Sequence, residues 1–195
     1  MTRKINLGPQ PLILPNPAVL VGAVVEGKAN FSTYAWAGII CGNPPMVAIG
    51  MQHHRHTLRG IRQNLAFSVN IPSEDMVKET DYCGLVSGAD TDKAADCGFK
   101  VFYGGLDTAP LIEQCPVNLE CKVVHLLSLG SHMGVIGQIT AAHVSDDCLT
   151  GGKPDITKIR PLVYSRGEKA RYNAVGKVVG EAFSCGKELK KKKKA

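Results

Sequence analysis

The sequence predicts a mainly β protein, an antiparallel barrel with a few peripheral helices. Apolar, β-branched runs outnumber the segments of helical character, and the two kinds do not alternate as they do in a doubly wound α/β sheet. Glycine is abundant at 21 residues and aromatic residues make up only 6% of the chain, which favours strands and turns over a helical bundle. With 195 residues and no repeat or linker, we expect one domain over residues 1–189 and a disordered Lys-rich tail at 190–195.

The strands are predicted from β-branched runs that end at turn-forming residues. The first hairpin joins strands over 19–25 and 29–37 through a turn at 26–28. The two prolines at 44 and 45 break the chain, because proline cannot donate to a strand ladder, and a strand over 46–51 follows. The remaining elements, in order, are a helix at 57–64, a strand at 66–71, a helix from Ser73 to about Tyr82, a short helix at 92–97, long strands at 119–127 and 134–144, and a helical turn at 156–159.

The charge of the chain argues against a nucleic-acid-binding barrel. The formal net charge is +6, but residues 190–194 contribute five of the positive charges, so the rest of the chain is close to neutral. Nucleic-acid-binding domains spread Lys and Arg over their folded surface. The tail is interpreted as a solvated terminus, and contact with RNA or acidic lipid is the alternative.

Cysteine usage predicts a cytoplasmic protein with reduced thiols. The seven cysteines are an odd number, widely scattered, and no C-x-x-C pair is present that would indicate a zinc ribbon or an iron–sulfur cluster. We also expect no signal peptide, because prolines interrupt the N-terminal segment, and no run is apolar over the length that a membrane span needs.

Residues 28–57 hold most of the candidate ligand-binding groups. Alternation along the strand predicted over 29–37 places Asn30, Ser32, Tyr34 and Trp36 on one face. Such a face can hydrogen-bond to a planar ring and stack on it. The alternative is a solvated strand face with the single tryptophan plugging the core.

The cationic segment His53-His54-Arg55-His56-Thr57 is a candidate phosphate site. Arg55 offers a planar fork to phosphate, and Thr57 adds a hydroxyl at a helix start where backbone amides are free. An exposed basic turn explains the segment equally well. The three histidines also suggest a metal site, which we do not favour because the segment holds no Asp, Glu or Cys.

Two further candidates lie later in the chain. Ser87-Gly88 followed by Lys93 is typical of an anion-binding turn with a nearby point charge, although the same pattern is common in ordinary loops. Tyr164 can cover a ligand or bridge to a second subunit. The alternative is that it pins the C-terminal segment to the barrel.

An ordered set of short motifs spans about residues 12–188. It comprises residues 17–21, the strand that ends at Trp36, Asn43-Pro44-Pro45, residues 55–57, residues 67–72, Ser87-Gly88 with Asp92-Lys93, residues 109–110, 119–121, 134–138 and 161–164. This order resembles the flavin reductase-like FMN-binding split-barrel family, and most of all its flavoredoxin branch. The resemblance implies a Greek-key split β-barrel that forms a homodimer, with FMN held non-covalently in a groove near the subunit interface.

The resemblance also implies roles for individual residues. Residues along the ring and ribityl chain would be Asn30, Thr33, Ala35 and Trp36, and those at the phosphate would be Arg55 and Thr57 with help from Ser87 and Lys93. His53 stands where relatives often carry a basic residue. The complete predicted FMN-binding set is Asn30, Ser32, Thr33, Tyr34, Ala35, Trp36, His53, Arg55, Thr57, Ser87, Lys93 and Tyr164.

The expected activity is that of an FMN-dependent oxidoreductase. The cofactor would supply the chemistry without a catalytic side chain, and the electron partner would be either a redox protein or a reduced nicotinamide. A non-catalytic flavin-binding protein is the alternative, and a nucleic-acid-binding barrel is the more remote one.

Overall fold

The computed structural model describes residues 2–190, so residues 191–195 of the predicted tail lie outside the described part. The α-helices are α1 (His56–Asn64), α2 (Val77–Leu85), α3 (Lys93–Asp96) and α4 (Ile156–Ile159), with 3-10 turns at Glu74–Met76, Asp146–Cys148 and Lys187–Leu189. The strands are β1 (Asn16–Pro17), β2 (Val19–Val25), β3 (Lys28–Tyr34), β4 (Ala37–Gly42), β5 (Pro45–Gln52), β6 (Ala66–Ile71), β7 (Val101–Phe102), β8 (Leu111–Ile112), β9 (Val117–Leu129), β10 (His132–Val144), β11 (Leu149–Thr150), β12 (Lys153–Pro154), β13 (Leu162–Ser165) and β14 (Arg171–Ala174).

A large antiparallel sheet carries the fold. Its seven strands lie in the order β3-β2-β6-β9-β10-β5-β4. Strands β9 and β10, of 13 residues each, form its longest hairpin. A second sheet, β1-β13-β14, brings the C-terminal segment beside the start of β2. The mainly β prediction is therefore confirmed.

The strand predicted after the first turn is two strands, β3 and β4, with a break at Ala35 and Trp36. These strands form opposite edges of the seven-stranded sheet, so the chain must cross between the edges at this break. Asn30, Ser32 and Tyr34 are buried along β3, whereas Trp36 is 38% exposed. The prediction that Trp36 shares their face is wrong, because the alternation ends with β3. The core-plugging alternative is also wrong.

Most other predicted elements have the expected bounds to within a few residues. Strands β2 and β6 match, and the long hairpin extends further at both ends than predicted. The helix predicted from Ser73 to Tyr82 begins with a 3-10 turn and continues to Leu85. Ser73 occupies the N-cap position as predicted, but its side chain makes no capping hydrogen bond.

Helix α1 packs tightly against β2, which fixes the start of the helix. Leu58 and Ile61 are fully buried in the main core. Gly60 approaches the strand so closely that a Cβ there would lie 2.2 Å from Val24 O. Asn64 Nδ2 donates to the same carbonyl at 2.8 Å. The helix therefore has little freedom to slide along the sheet.

A buried carboxylate at the other end of the barrel holds the loop before β8. Glu120 is 1% exposed; its Oε1 pairs with His143 Nε2 at 2.8 Å, and its Oε2 accepts from Leu106 N at 2.7 Å. Burial raises the pKa of Glu120, but the bonds from His143 and from the amides of Leu106 and Gly105 outweigh it, so the pKa is lowered.

We expect Glu120→Gln to destabilise the protein by about 1.5 kcal/mol at pH 7, since hydrogen bonds to a charged group are lost. Because the folded-state pKa is depressed, the contribution is present above the usual glutamate pKa and is lost as the pH falls through the folded value. Urea unfolding should therefore show a difference from the wild type at pH 7 that shrinks below about pH 4. The exposed Glu113→Gln is the control. A constant difference across this range would contradict the assignment.

Candidate functional site

A cleft of about 570 Å³ opens beside the break between β3 and β4. Its walls come from the break itself, α2, the start of β10 and the β13–β14 hairpin. The residues that line it include Ala18, Thr33, Tyr34, Ala35, Trp36, Gly50, Gln52, Arg55, Asp81, Gly84, Leu85, His132, Tyr164, Arg166, Ala170 and Tyr172. This cavity is called the cleft below.

A second cavity of about 190 Å³, called the small pocket below, adjoins the cleft. Arg55 and Leu85 line both cavities, so the two are adjacent, and together they are called the groove below. The small pocket is lined by Ser32, His54, Arg55, His56, Thr57, Leu85, Val86, Ser87, Gly88 and Lys93. It lies at the N-terminus of α1 and is closed by the turn after α2.

The structure brings most of the predicted site residues together in this groove. Those in the cleft are Thr33, Tyr34, Ala35, Trp36, Arg55 and Tyr164, and those in the small pocket are Ser32, Arg55, Thr57, Ser87 and Lys93. Asn30 lies behind Thr57. His53 is the exception: its Nε2 contacts Gly130 O at 2.9 Å, and it lines neither cavity.

The start of α1 supplies free donors to the small pocket. Arg55 occupies the N-cap position with extended backbone, and no side chain caps the helix there. The first backbone amides of a helix are free, and the helix dipole favours an anion beside them. Arg55 Nη1 donates to Gly84 O at 3.2 Å, which holds the guanidinium at the junction of the two cavities. The position suits an anion that reaches in from the cleft.

Thr57 is oriented from behind by an amide. Its side chain is buried, and its Oγ1 accepts from Asn30 Nδ2 at 2.7 Å. A hydroxyl that accepts one bond keeps its own proton free to donate. Thr57 can therefore act as a donor to an acceptor group in the small pocket.

Lys93 is a buried cation at the same place. It is 3% exposed, and its Nζ donates to Cys83 O at 3.0 Å. Burial lowers the pKa of this ammonium, and the positive charge of Arg55 adds to the effect. An ammonium has three donors, so two remain for a ligand. An anion between Arg55 and Lys93 would offset the cost of burying this charge.

Tyr34 lines the cleft and has a buried hydroxyl. The residue is 6% exposed, and its Oη lies near the hydroxyls of Ser32 and Thr57 without making a hydrogen bond of normal geometry to any residue from 2 to 190. Burial raises the pKa of Tyr34, so the phenol stays protonated and remains a donor. A buried polar group without a partner carries a cost of about 1–3 kcal/mol, which a polar ligand in the cleft would relieve.

The wide end of the cleft is aromatic. The ring centroids of Trp36 and His132 are 4.6 Å apart, and those of Tyr164 and Tyr172 are 5.9 Å apart. Gly50 allows this arrangement, since a Cβ there would press on Trp36 at 3.3 Å. The result is a set of flat surfaces around an open space.

Several lining residues were not predicted, among them Gln52, Asp81 and His132. Gln52 and His132 face each other because β5 and β10 pair with these two residues opposite one another. Hydrophobic alternation does not reveal which distant strands pair, so no local signal pointed to them. Asp81 lies near Tyr172, whose pKa is raised by burial and by that carboxylate.

Within residues 2–190, no three His, Cys, Asp or Glu side chains are grouped so that they could hold a metal ion.

None of the helices in this range has the length and apolar character that crossing a bilayer requires.

Comparison with known proteins identifies this arrangement. The chain is 43% identical to flavoredoxin from Methanosarcina acetivorans, with a TM-score of 0.91 over 96% of this chain and 100% of that one. Flavoredoxin of Desulfovibrio vulgaris (Miyazaki F) is 35% identical, with a TM-score of 0.88 over 95% and 100%. An uncharacterized protein of Archaeoglobus fulgidus is 30% identical over 74% of this chain and 80% of its own.

The two structural comparisons confirm the predicted split-barrel fold. A family model shows which part of the chain forms it. The model for the flavin reductase like domain matches residues 12–173. That range contains the whole seven-stranded sheet and every residue that lines the cleft and the small pocket. The chain therefore belongs to the flavin reductase-like family.

Proposed function

We propose that the protein is an FMN-binding oxidoreductase of the flavoredoxin or flavin reductase type, which carries electrons through non-covalently bound FMN. The observation that carries this proposal is that the two cavities adjoin at Arg55. The small pocket, which is the narrow end of the groove, offers a guanidinium, a buried ammonium and free helix amides. The cleft, which is the wide end, offers flat aromatic surfaces. A phosphorylated ring system needs both ends in one site.

The small pocket suits the phosphate of FMN. Arg55 and Lys93 would bind its charge, and Thr57 would donate a hydrogen bond that Asn30 keeps oriented. Charge-assisted bonds of this kind are stronger than neutral ones. The residues present therefore fit the phosphorylated end of the cofactor.

The cleft suits the ring and the ribityl chain. Tyr34 Oη would donate to a polar atom of the ligand, and Trp36 with His132 would limit access of water to one side of the ring. Once bound, FMN supplies the redox chemistry, since it accepts and releases a hydride or single electrons. The side chains of the groove then bind and orient, and no acid–base residue is required.

Anaerobic mixing of the FMN-loaded protein with reduced nicotinamide tests the catalytic role. We expect either bleaching of the flavin absorption at a catalytic rate, which marks a flavin reductase, or bleaching only with a reduced protein donor such as ferredoxin, which marks an electron carrier. Bleaching with neither donor would refute the oxidoreductase and leave the non-catalytic flavin-binding alternative.

We also propose that the protein is located in the cytoplasm, because its cysteines are free thiols.

We propose in addition that the protein is a homodimer, and the edge strand β4 supports this. A bulge near Ile39 disrupts its alternation, and Ile39 and Ile40 are 64% and 53% exposed. Adjacent exposed isoleucines on an unpaired edge are typical of an association surface.

Light scattering on the purified full chain should give the mass of a dimer. We expect Ile39→Lys with Ile40→Lys to shift the mass to that of a monomer, because two buried charges oppose association. Leu189→Lys, which alters an exposed leucine elsewhere, should leave the dimer intact. A wild-type monomer would contradict this proposal.

A further inference from the structure

Two thiols lie directly behind the small pocket and have no part in the proposed FMN contacts. Cys83 Sγ on α2 and Cys97 Sγ just after α3 are 4.0 Å apart. Tyr82 Oη donates to Asp96 Oδ2 at 2.6 Å, and these two residues immediately precede the cysteines. The bond between them holds α2 and the end of α3 side by side, so the two thiols lie close together.

The geometry allows the two sulfurs to bond. A disulfide has a sulfur–sulfur length of about 2.05 Å, so the pair must close by roughly 2 Å. Helix α3 is a single turn of four residues, and such a short element can shift by this amount more easily than a long strand. Cys115, also nearby in the core, contacts Met76 Sδ instead at 3.9 Å.

Access to the pair is one-sided. Cys83 is fully buried, whereas Cys97 is half-buried, so an oxidant in solution meets Cys97 first. This arrangement gives one attacking thiol and one resolving thiol. Burial raises the pKa of both thiols, so little thiolate is present at neutral pH and thiol–disulfide exchange is expected to be slow at pH 7 and faster at higher pH.

Lys93 connects the pair to the small pocket. Its Nζ donates to Cys83 O at 3.0 Å, and its own carbonyl accepts from Cys97 N at 3.1 Å. Lys93 thus hydrogen-bonds to the backbone of both cysteines and is also one of the residues that line the small pocket. A shift of α3 that brings the sulfurs together would therefore carry this cation with it.

We propose that Cys83 and Cys97 form a redox-active dithiol that closes to a disulfide on reaction with a low-molecular-weight disulfide, and that closure weakens anion binding in the small pocket through Lys93. The Cys97 thiolate attacks one sulfur of the external disulfide and releases one thiol. Cys83 then loses its proton, attacks Cys97 Sγ and releases the second thiol. Two protein thiols are oxidised and one external disulfide is reduced to two thiols. The effect on anion binding rests on the proposed function.

The first experiment tests the dithiol on the wild-type full chain. The protein is equilibrated with glutathione and glutathione disulfide at several ratios, quenched with acid, alkylated and mapped by mass spectrometry. We expect a Cys83–Cys97 linkage that forms faster at pH 9 than at pH 7. Recovery of both cysteines alkylated, or of Cys97 only as a mixed disulfide with glutathione, would overturn the proposal.

The second experiment compares FMN binding by the reduced and oxidised protein. We expect a dissociation constant at least about fivefold higher after oxidation, a coupling of ordinary size. The difference should persist in Cys41→Ser with Cys185→Ser, which removes two other accessible thiols, and disappear in Cys97→Ser. Equal affinities overturn the coupling but not the dithiol. Absence of FMN binding in both states contradicts the proposed function, and with it the coupling, while the peptide map still decides the dithiol.

Discussion

Arg55→Ala is expected to weaken FMN binding roughly 10- to 150-fold and to change riboflavin binding little. The guanidinium lies where the cleft meets the small pocket, and Gly84 O holds it there at 3.2 Å. Hydrogen bonds to a charged group contribute about 1.5–3 kcal/mol, which corresponds to this range of affinity. Riboflavin lacks the phosphate, so the difference between the two ligands isolates that contact.

Fluorescence titration of both ligands measures this effect. The matched control is Arg59→Ala, which removes the same charge from α1 at a residue whose guanidinium pairs with Glu26 at 2.7 Å. We expect this control to weaken FMN far less than Arg55→Ala does. Equal losses of FMN and riboflavin in Arg55→Ala would remove Arg55 from the phosphate contacts.

Gly60→Ala is expected to destabilise the protein by about 3 kcal/mol, at the upper end of the range for overpacked cores. Alanine normally favours a helix over glycine, so propensity alone predicts the opposite sign. Here the new Cβ would lie 2.2 Å from Val24 O, a backbone carbonyl of strand β2 that cannot move aside as a flexible side chain can. Helix α1 must shift, and the small pocket lies at its start.

Urea unfolding followed by circular dichroism tests this prediction. Gly84→Ala on α2 is the matched helical control, because its Cβ would meet Thr33 only at an ordinary 3.4 Å. We expect the control to be neutral or slightly stabilising. A Gly60→Ala variant as stable as the control would show that α1 does not depend on this close approach.

The regular elements were predictable because their signals are local. Strand β6 and helix α1 follow directly from β-branched runs and from the apolar positions Leu58 and Ile61. The narrow end of the groove was predictable for the same reason, since Arg55 and Thr57 belong to one helix start. The sequence also resembles a known family, and the comparison shows that this resemblance is correct.

The break at Trp36 could not be predicted from local patterns. Residues 29–37 read as one strand, but β3 and β4 lie at opposite edges of the sheet. Strand order is a property of distant pairings, and these depend on the whole barrel. For the same reason, local patterns do not identify Gln52 and His132 as site residues, because they become neighbours only when β5 pairs with β10. Asp81 reaches the cleft through the packing of α2.

The flavin content of the purified full chain tests the central claim most directly. The protein is loaded with FMN, desalted, denatured with acid and its released flavin identified by chromatography. If the groove described above is an FMN site, the desalted protein is yellow and releases FMN in an amount equivalent to its chains. A colourless protein that retains no added FMN would contradict the account.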